Sequence, residues 1–151
     1  MKKPGEQAFT LVELMISLVI IGVLVGLILP RFKGMRDQGK ISKAQGELRA
    51  IKAAMESYFI KNNGYPPTTT TVCAGYLTTS AVYPRILQNP LYDPFGATTT
   101  TEYNYAVSPN ARYYVMYSLG ADATAQITGI GDDGVVTPSN RGDDVWTSNA
   151  Q

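Results

Sequence analysis

One long apolar stretch near the start of the chain constrains its fold more than any other feature. Residues 9–29 read FTLVELMISLVIIGVLVGLIL, and their only polar side chains are those of Thr10, Glu13 and Ser17. As an α-helix this segment extends about 31 Å at about 1.5 Å per residue, which is enough to cross the hydrocarbon core of a bilayer. The stretch therefore predicts a membrane-spanning helix.

A secretory signal peptide is the first alternative, because Lys2 and Lys3 precede the apolar stretch. Two details oppose it. The stretch is longer than the usual hydrophobic region of about 7–15 residues, and it ends in Pro30-Arg31-Phe32-Lys33 without a small-residue cleavage site. A permanent anchor fits these facts better. An ordinary uncleaved signal anchor that carries an extracytoplasmic domain remains a second alternative.

The composition argues against most classes of enzyme. The chain has no histidine, which removes the commonest general base and the usual partner of a serine or cysteine nucleophile. Its only cysteine, Cys73, cannot close an intrachain disulfide or build a cysteine-rich metal cluster. The charges nearly balance, with 13 Lys+Arg against 12 Asp+Glu, so no basic surplus supports nucleic-acid binding. We expect a protein that is not an enzyme and has no nucleic-acid partner.

The near-neutral total hides a basic stem and an acidic tail. Residues 31–61 hold eight basic side chains against three acidic ones, and residues 115–151 hold five aspartates against Arg141 alone. Apolar side chains recur in the stem at spacings of three and four, which predicts one face of an amphipathic helix. These positions are Ile41, Ala44, Leu48, Ile51, Met55 and Tyr58. We expect this helix to end at Asn62-Asn63-Gly64.

Two strand candidates follow the stem. Residues 102–107 and 112–118 are rich in tyrosine and valine, and Ser108-Pro109-Asn110-Ala111 between them predicts a hairpin. The predicted fold class is α+β: a long N-terminal helix, with a membrane half and an amphipathic half, packs on a small antiparallel sheet with a long C-terminal loop. The expected segments are an apolar helix over 9–32, an amphipathic helix over 33–63 and a globular part over 64–151.

Glu13 is the unusual residue of the apolar stretch. A carboxylate inside a membrane span costs roughly 2.5–3.5 kcal/mol on insertion scales, so it points to a functional role. The alternative is that Glu13 lies near the end of the span and reaches toward headgroup water. The surrounding sequence, KKPGEQAFTLVELM at residues 2–15, resembles the leader region of type IV pilins and type II secretion pseudopilins.

That resemblance implies processing and assembly at named residues. Residues 1–8 would be a leader that prepilin peptidase cuts between Ala8 and Phe9, after which the new amino group of Phe9 is methylated. Ala8 stands where the family usually has glycine. Mature subunits would pack their apolar helices into a filament core, where Glu13 pairs with the Phe9 amino group of a neighbouring subunit. A buried pair of this kind adds little net stability but selects one register.

Pro30 interrupts the helical sequence between the apolar stretch and the stem. A proline within a helix removes one hydrogen bond and clashes with the preceding turn, so in isolation Pro30 predicts a kink or local melting. The resemblance implies local unwinding at Pro30 in the assembled filament.

Three further segments are similar to those of the major pseudopilins of type II secretion systems. They are Gly64-Tyr65-Pro66, residues 89–96 (NPLYDPFG) and residues 117–122 (YSLGAD). Two residues depart from the family pattern: Phe95 stands where the family has tryptophan, and Ala123 stands where it has glycine. Apart from these segments, the match is close over residues 9–30.

The resemblance also implies a calcium site, which that family builds in its C-terminal loop from aspartates and a leucine carbonyl. Leu119 and Asp122 match the motif directly. The remaining ligands are expected from the acidic pairs of the tail, with Asp143 and Asp144 as first choice and Asp132 and Asp133 as alternates. Oxygen ligands suit calcium, which accepts 6–8 of them. From charge alone, a solvated acidic tail is the favoured interpretation of the same aspartates, and the match at Leu119 and Asp122 shifts the expectation to calcium.

The function that the resemblance implies is that of a structural subunit of a periplasmic pseudopilus that drives type II protein secretion. The subunit would be anchored in the bacterial inner membrane by one span, with its C-terminal part in the periplasm. Its partners would be further copies of itself, prepilin peptidase, the inner-membrane assembly platform and minor pseudopilins. The main alternative is the major pilin of a type IV pilus for adhesion, twitching or DNA uptake. The single cysteine favours the pseudopilin, because many type IV pilins close their C-terminal loop with a disulfide.

Overall fold

The computed structural model describes residues 9–68, 71–78 and 86–150, and for residues 29–33 it describes the backbone only. The expected leader, residues 1–8, lies outside these ranges. The chain divides between Gln38 and Gly39 into two compact units. The first unit carries the apolar part of the long helix, and the second carries the amphipathic part and all that follows. Each unit is described by itself.

One helix, α1 (Leu11–Asn62), contributes to both units. Thr10 precedes it and accepts a hydrogen bond at its Oγ1 from the N–H of Glu13 at 3.2 Å, which is the pattern of an N-cap. The helix ends where Asn63 takes a left-handed φ of 53° and donates its N–H to the carbonyl of Phe59 at 2.7 Å. The predicted C-terminal end at residues 62–64 is confirmed.

The backbone of α1 remains helical at Pro30. The local melting that the proline predicts does not occur in the isolated chain, since long helical segments on both sides tolerate the loss of one backbone hydrogen bond. Unwinding at Pro30 in a filament stays a prediction.

The amphipathic part of α1 forms one wall of the core of the second unit. The side chains that the spacing predicted to face the core are between 0% and 4% exposed, except that Ile41 is only half-buried. The buried ones are Ala44, Leu48, Ile51, Met55 and Tyr58, with Ala54 beside them. Lys43 and Arg49 lie on the exposed side. The helical periodicity therefore gave the correct face.

The opposite wall is a three-stranded antiparallel sheet in which the middle strand is fully buried. The strands are β1 (Asn104–Val107), β2 (Tyr114–Ser118) and, from the tail, β5 (Val145–Ser148), in the order β1-β2-β5. Tyr105 pairs with Met116, and Tyr117 pairs with Trp146. The predicted hairpin is confirmed with shorter strands than expected.

The long C-terminal loop contains more regular structure than the sequence predicted. Two short strands, β3 (Gly129–Ile130) and β4 (Val136–Thr137), pair antiparallel with each other, and β5 completes the larger sheet. Ile127, Ile130 and Val136 form a second apolar cluster with Val115 and Tyr117 of β2. The tail therefore lies along one edge of β2 and packs on one face of it, rather than being solvated along its length.

The main core lies between α1 and the sheet and is rich in tyrosine. Tyr103, Tyr105 and Tyr114 pack on the buried face of α1, together with a π-helical turn over Cys73–Leu77. The hydroxyls of two of them find polar partners: Tyr103 donates to Glu47 Oε2 at 2.6 Å, and Tyr105 donates to the carbonyl of Pro66 at 2.7 Å. These bonds fix the orientation of large side chains in a small core.

Candidate functional site

The first candidate site is the apolar surface of α1 in the first unit. Residues 11–28 form a helix that is long and apolar enough to cross a membrane, and none of this segment is buried within the chain. The exposed fraction of its large apolar side chains runs from 47% at Val25 to 76% at Leu11. A continuous apolar surface of this size marks contact with lipid or with another protein.

Glu13 lies in the first turn of α1, within the apolar segment itself. Its N–H is capped by Thr10, its carbonyl accepts the hydroxyl of Ser17 at 2.8 Å, and a carboxylate in the first turn is favoured by the helix dipole. Phe9 precedes the helix and is 82% exposed. Ala8 lies outside the described residues, so the expected cleavage site is described on one side only.

The second candidate site, called here the acidic junction, comprises Asp122, Gln126, Asp143 and Asp144, where the segment after β2 meets the residues before β5. Asp143 Oδ2 accepts the N–H of Ala121 at 2.5 Å and that of Asp122 at 3.0 Å. Gly120 permits this approach, because a Cβ at its φ of 69° would stand 2.5 Å from the carbonyl oxygen of Asp143.

Asp144 is the most enclosed carboxylate of the acidic junction, with 8% of its surface exposed. Its Oδ2 accepts the N–H of Gln126 at 2.9 Å and that of Ile127 at 2.8 Å. Its other oxygen, Oδ1, is buried and has no hydrogen-bond partner within the described residues. Burial raises the pKa of Asp144, the two backbone N–H groups oppose that rise, and the charges of Asp143 and Asp122 add to it.

Asp122 and Gln126 complete the acidic junction. The carboxylate of Asp122 accepts the N–H of Thr124 at 2.8 Å and the side-chain amide N–H of Gln126 at 2.5 Å. The amide oxygen of Gln126, Oε1, is buried and unpartnered within the described part of the chain. Neither charge nor a family motif singled out Gln126 in the sequence.

The alternate acidic pair belongs to a different turn. Asp132 Oδ1 accepts the N–H of Asn110 at 2.8 Å, and Asp133 Oδ1 accepts the N–H of Val135 at 3.0 Å in the turn that joins β3 to β4. The structure therefore brings Asp143 and Asp144 to the segment of Asp122, and it places Asp132 and Asp133 elsewhere.

The carboxylates of the acidic junction do not form a metal site by themselves. Across residues 9–68, 71–78 and 86–150, no group of three or more His, Cys, Asp and Glu side chains is placed to hold a metal ion. A cation at the junction would need neutral oxygens as well, and two unpartnered acceptor atoms, Asp144 Oδ1 and Gln126 Oε1, are present there.

Asp93 is an organising residue that the sequence did not reveal. It is 4% exposed and accepts three hydrogen bonds: Oδ1 from the N–H of Phe95 at 2.9 Å and the hydroxyl of Ser118 at 2.6 Å, and Oδ2 from the N–H of Leu119 at 3.0 Å. It thus ties its own turn to the end of β2 and holds the backbone of Leu119, three residues before Asp122. The Asp-Pro pair signals a turn in the sequence, but its distant partners leave no local trace.

Other buried titratable groups serve packing rather than chemistry. Burial raises the pKa of Cys73 to about 12, so its thiolate is not available as a nucleophile at neutral pH. The carboxylate of Glu102 accepts the N–H groups of Cys73 and Ala74 at 2.7 and 3.1 Å, and burial raises its pKa. These contacts anchor the π-helical turn.

Comparison with known proteins gives consistent matches over both units. Residues 3–29 match the prokaryotic N-terminal methylation motif, and residues 31–137 match the family of type II secretion system protein G. Type II secretion system core protein G of Pseudomonas aeruginosa is 32% identical over 129 residues, which cover 81% of this chain and 88% of that protein. The protein of the same name from Vibrio cholerae is 30% identical over 88% of this chain and 93% of its own length. That of Escherichia coli K12 is 26% identical over 85% and 83%. No solved structure matches at a significant level.

Proposed function

Because this chain belongs to the type II secretion system protein G family, we propose that it is a pilin-like structural subunit of a protein secretion system. The resemblance of the leader region is confirmed by the methylation-motif match over residues 3–29, and that of residues 117–122 by the family match over residues 31–137. That match favours a secretion pseudopilus over a surface pilus or a simple signal-anchored domain. The methylation motif over residues 3–29 supports processing by prepilin peptidase between Ala8 and Phe9.

The observation that carries this proposal is the wholly unburied apolar helix over residues 11–28. Such a surface needs an apolar environment outside its own chain, first the inner membrane and then the helices of neighbouring copies. Lipid tails are as apolar as packed helices, so moving the segment from one environment to the other involves little hydrophobic driving force. Specific contacts must therefore decide when and in which register subunits associate.

Glu13 supplies one such contact. An unpaired carboxylate in a hydrocarbon environment costs roughly 2.5–3.5 kcal/mol, and pairing with the Phe9 amino group of a neighbouring copy offsets part of that cost. A bundle of apolar helices without this pair can form with many different axial offsets between neighbouring helices. The Glu13–Phe9 pair forms at only one of these offsets, so it selects that register. The position of Glu13 in the first turn keeps its side chain close to the end of the helix that carries Phe9.

Family membership supports the remaining parts of the proposal. The first unit anchors the subunit in the inner membrane by one span, and the second unit lies in the periplasm and coats the filament. The partners are prepilin peptidase, further copies of the chain, the inner-membrane assembly platform and minor pseudopilins. The subunit acts as a building block and has no catalytic role.

Mass spectrometry of the assembled protein tests this proposal most directly. We expect a chain that begins at methylated Phe9, whereas a chain that begins at Met1 would contradict it. The variant Glu13→Leu should be processed normally but should yield filaments only at background level. Ser17→Leu, one turn further along α1, is the matched control and should assemble. Normal filament yield from Glu13→Leu would refute the register role.

We also propose that the acidic junction binds calcium through the carbonyl of Leu119 and the carboxylates of Asp122, Asp143 and Asp144. The unpartnered, buried Oδ1 of Asp144 supports this, because a buried carboxylate oxygen without a donor is what an oxygen-seeking cation requires. A bound calcium would supply positive charge that offsets the mutual repulsion of the three carboxylates. The chain would then hold residues 119–126 against the start of β5 without a disulfide.

Thermal unfolding of the full chain in nonionic detergent tests the calcium proposal. At a calcium concentration 100 times Kd, binding stabilises a protein by about 2.7 kcal/mol, which corresponds to a Tm increase of roughly 10 °C for a unit of this size. Asp144→Asn should abolish the increase, and Asp132→Asn, in the other turn, should retain it. An unchanged Tm of the unsubstituted chain on addition of chelator would refute the site.

A further inference from the structure

The residues that follow α1 contain a pair with intrinsic chemical reactivity, Asn63-Gly64. It is the only Asn-Gly pair in the sequence. Asparagine is a thermolabile residue, because the backbone nitrogen of the next residue can attack its side-chain carbonyl carbon. A glycine in that next position has no Cβ to shield the nitrogen, so an Asn-Gly pair reacts more readily than asparagine before other residues.

The fold places an asparagine at this position for a conformational reason. Asn63 is the residue at which α1 ends, and its φ of 53° lies in the left-handed region that glycine and asparagine tolerate best. Its N–H donates to the carbonyl of Phe59 at 2.7 Å. Gly64 does not adopt a left-handed φ, and a Cβ there would meet no atom within 4 Å. The fold therefore requires a residue such as asparagine at 63 but does not require a glycine at 64.

Neither of the two reacting groups is held by a hydrogen bond. Among the described residues, the side-chain amide of Asn63 and the N–H of Gly64 have no hydrogen-bond partner. Asn63 is exposed, and both residues line an open surface groove, so water reaches them. The neighbouring Asn62 differs, because it lies within α1 and its Nδ2 donates to the carbonyl of Tyr58 at 2.9 Å.

We propose that Asn63 is a site of spontaneous deamidation in the folded chain. The deprotonated backbone nitrogen of Gly64 attacks Cγ of Asn63, the new C–N bond closes a five-membered succinimide ring, and the side-chain nitrogen leaves as ammonia. Water, the only co-reactant, then opens the ring. Breaking the new bond to Cγ gives aspartate. Breaking the original peptide bond gives isoaspartate, whose main chain runs through the former side chain and gains one methylene.

Isoaspartate at residue 63 alters the segment that follows α1 and contacts the sheet. Two hydrogen bonds hold that segment: the hydroxyl of Tyr65 accepts Nδ2 of Asn149 at 3.1 Å, and the carbonyl of Pro66 accepts the hydroxyl of Tyr105 at 2.7 Å. The extra methylene shifts Tyr65 and Pro66 relative to α1, and the new carboxylate lies at a helix C-terminus, where the dipole disfavours negative charge. We expect the loss of one of these bonds and a Tm lower by about 5 °C.

Peptide mass spectrometry of the full chain, incubated folded in nonionic detergent, tests this proposal. Residue 63 should become about 1 Da heavier with time, and an isoaspartate-specific methyltransferase should label the product. The rate should rise with pH, because the attacking nitrogen must be deprotonated. Asn62 and Asn149 in the same digest are internal controls and should stay unchanged, since each side-chain amide is held by hydrogen bonds.

Three variants separate the chemistry from its structural consequence. Gly64→Ala should fold with an unchanged Tm, because the open space accepts a Cβ, and should lose most of the added mass over the same time. Asn63→Gly suits the left-handed φ and has no amide to lose, so its Tm should not fall on incubation. Asn63→Asp carries the charge without the extra methylene and should lower Tm less than incubation of the unsubstituted chain does.

Two kinds of result would overturn the proposal. If Asn63 stays intact in the folded chain while it converts in guanidinium, the fold protects the pair and the site is wrong. Equal conversion in Gly64→Ala would show that the Gly64 nitrogen is not the nucleophile. An incubated chain that contains isoaspartate but keeps the Tm of the fresh chain would contradict the expected damage to the contacts of Tyr65 and Pro66.

Discussion

Replacing the buried carboxylate of Asp93 should strongly destabilise the second unit. Asp93→Ala leaves three donors without an acceptor: the N–H of Phe95, the hydroxyl of Ser118 and the N–H of Leu119. A hydrogen bond to a charged group contributes about 1.5–3 kcal/mol, but the three are not independent, and water partly fills the space. We therefore expect a loss of about 3–5 kcal/mol in the free energy of unfolding, in the range for breaking a buried polar network.

Two milder substitutions should lower the free energy of unfolding by smaller amounts than Asp93→Ala does. Asp93→Asn keeps one oxygen for Phe95 and Ser118, but its amide nitrogen would face the N–H of Leu119, so we expect a loss of about 1–3 kcal/mol. Ser118→Ala removes one of the three donors and leaves the carboxylate bound to the other two, so it should cost about 1–2 kcal/mol. Of the three variants, we expect Ser118→Ala to be the most stable, Asp93→Asn to be intermediate and Asp93→Ala to be the least stable.

The assay is guanidinium unfolding of the full chain in nonionic detergent, followed by the fluorescence of Trp146. This is the only tryptophan of the chain, and it lies on β5 opposite Tyr117 of β2, so it reports on the sheet of the second unit. Asp133→Ala serves as the control, because this exposed carboxylate accepts one hydrogen bond within its own turn. It should cost less than about 1 kcal/mol. If Asp93→Ala lowers the free energy of unfolding no more than this control does, the Asp93 carboxylate does not tie its own turn to the end of β2.

Gly120→Ala should lower the free energy of unfolding by about 2–4 kcal/mol, because an alanine there is strained at the left-handed φ and its Cβ clashes with the backbone of Asp143. Gly129→Ala is the control and should be nearly neutral, because there is open space around Gly129. Equal losses for the two variants in thermal unfolding would refute the reasoning. Cys73, with its pKa raised to about 12, should react with a thiol reagent at pH 8 on the order of a thousandfold more slowly in the folded chain than in guanidinium. Fast labelling of the folded chain would contradict that burial. Burial raises the pKa of Glu102, so its contribution to stability is complete below the ordinary value of 4.5 and is lost as the pH rises through the raised one. The free energy of unfolding should therefore fall between pH 4 and 7 relative to that of Glu102→Gln, whereas parallel pH profiles would exclude the effect.

The parts of the fold that the sequence predicted depend on local regularity. Ala44, Leu48, Ile51 and Met55 repeat at helical spacing, and all four side chains are buried. The hairpin was predictable for the same reason, since a turn sequence lies between two tyrosine-rich segments. Periodicity and turn chemistry act over a few residues, and a single sequence displays them directly.

The features of the fold that the sequence does not predict depend on contacts between residues far apart in the chain or on weak sequence patterns. The four residues of β5 read VWTS, without alternation of polar and apolar side chains, so the sequence predicts a loop there; three of the four are only half-buried. Asp93 bonds to Ser118, 25 residues away, and nothing near either residue indicates the pairing. Gln126 carries an uncharged amide, and nothing in the sequence around it indicates its contacts with Asp122 and Asp144.

The order of the strands has a consequence for synthesis. The central strand β2 obtains its second neighbour only from β5, so the sheet stays incomplete until the thirty residues from 119 to 148 have been made. At about 5–20 residues per second this interval lasts about 2–6 s. During it, α1 and the β1–β2 hairpin are already present with one edge of β2 unpaired. A nascent chain therefore has its apolar helix first and its complete sheet last, and until then the unpaired edge of β2 is open to pairing with other chains.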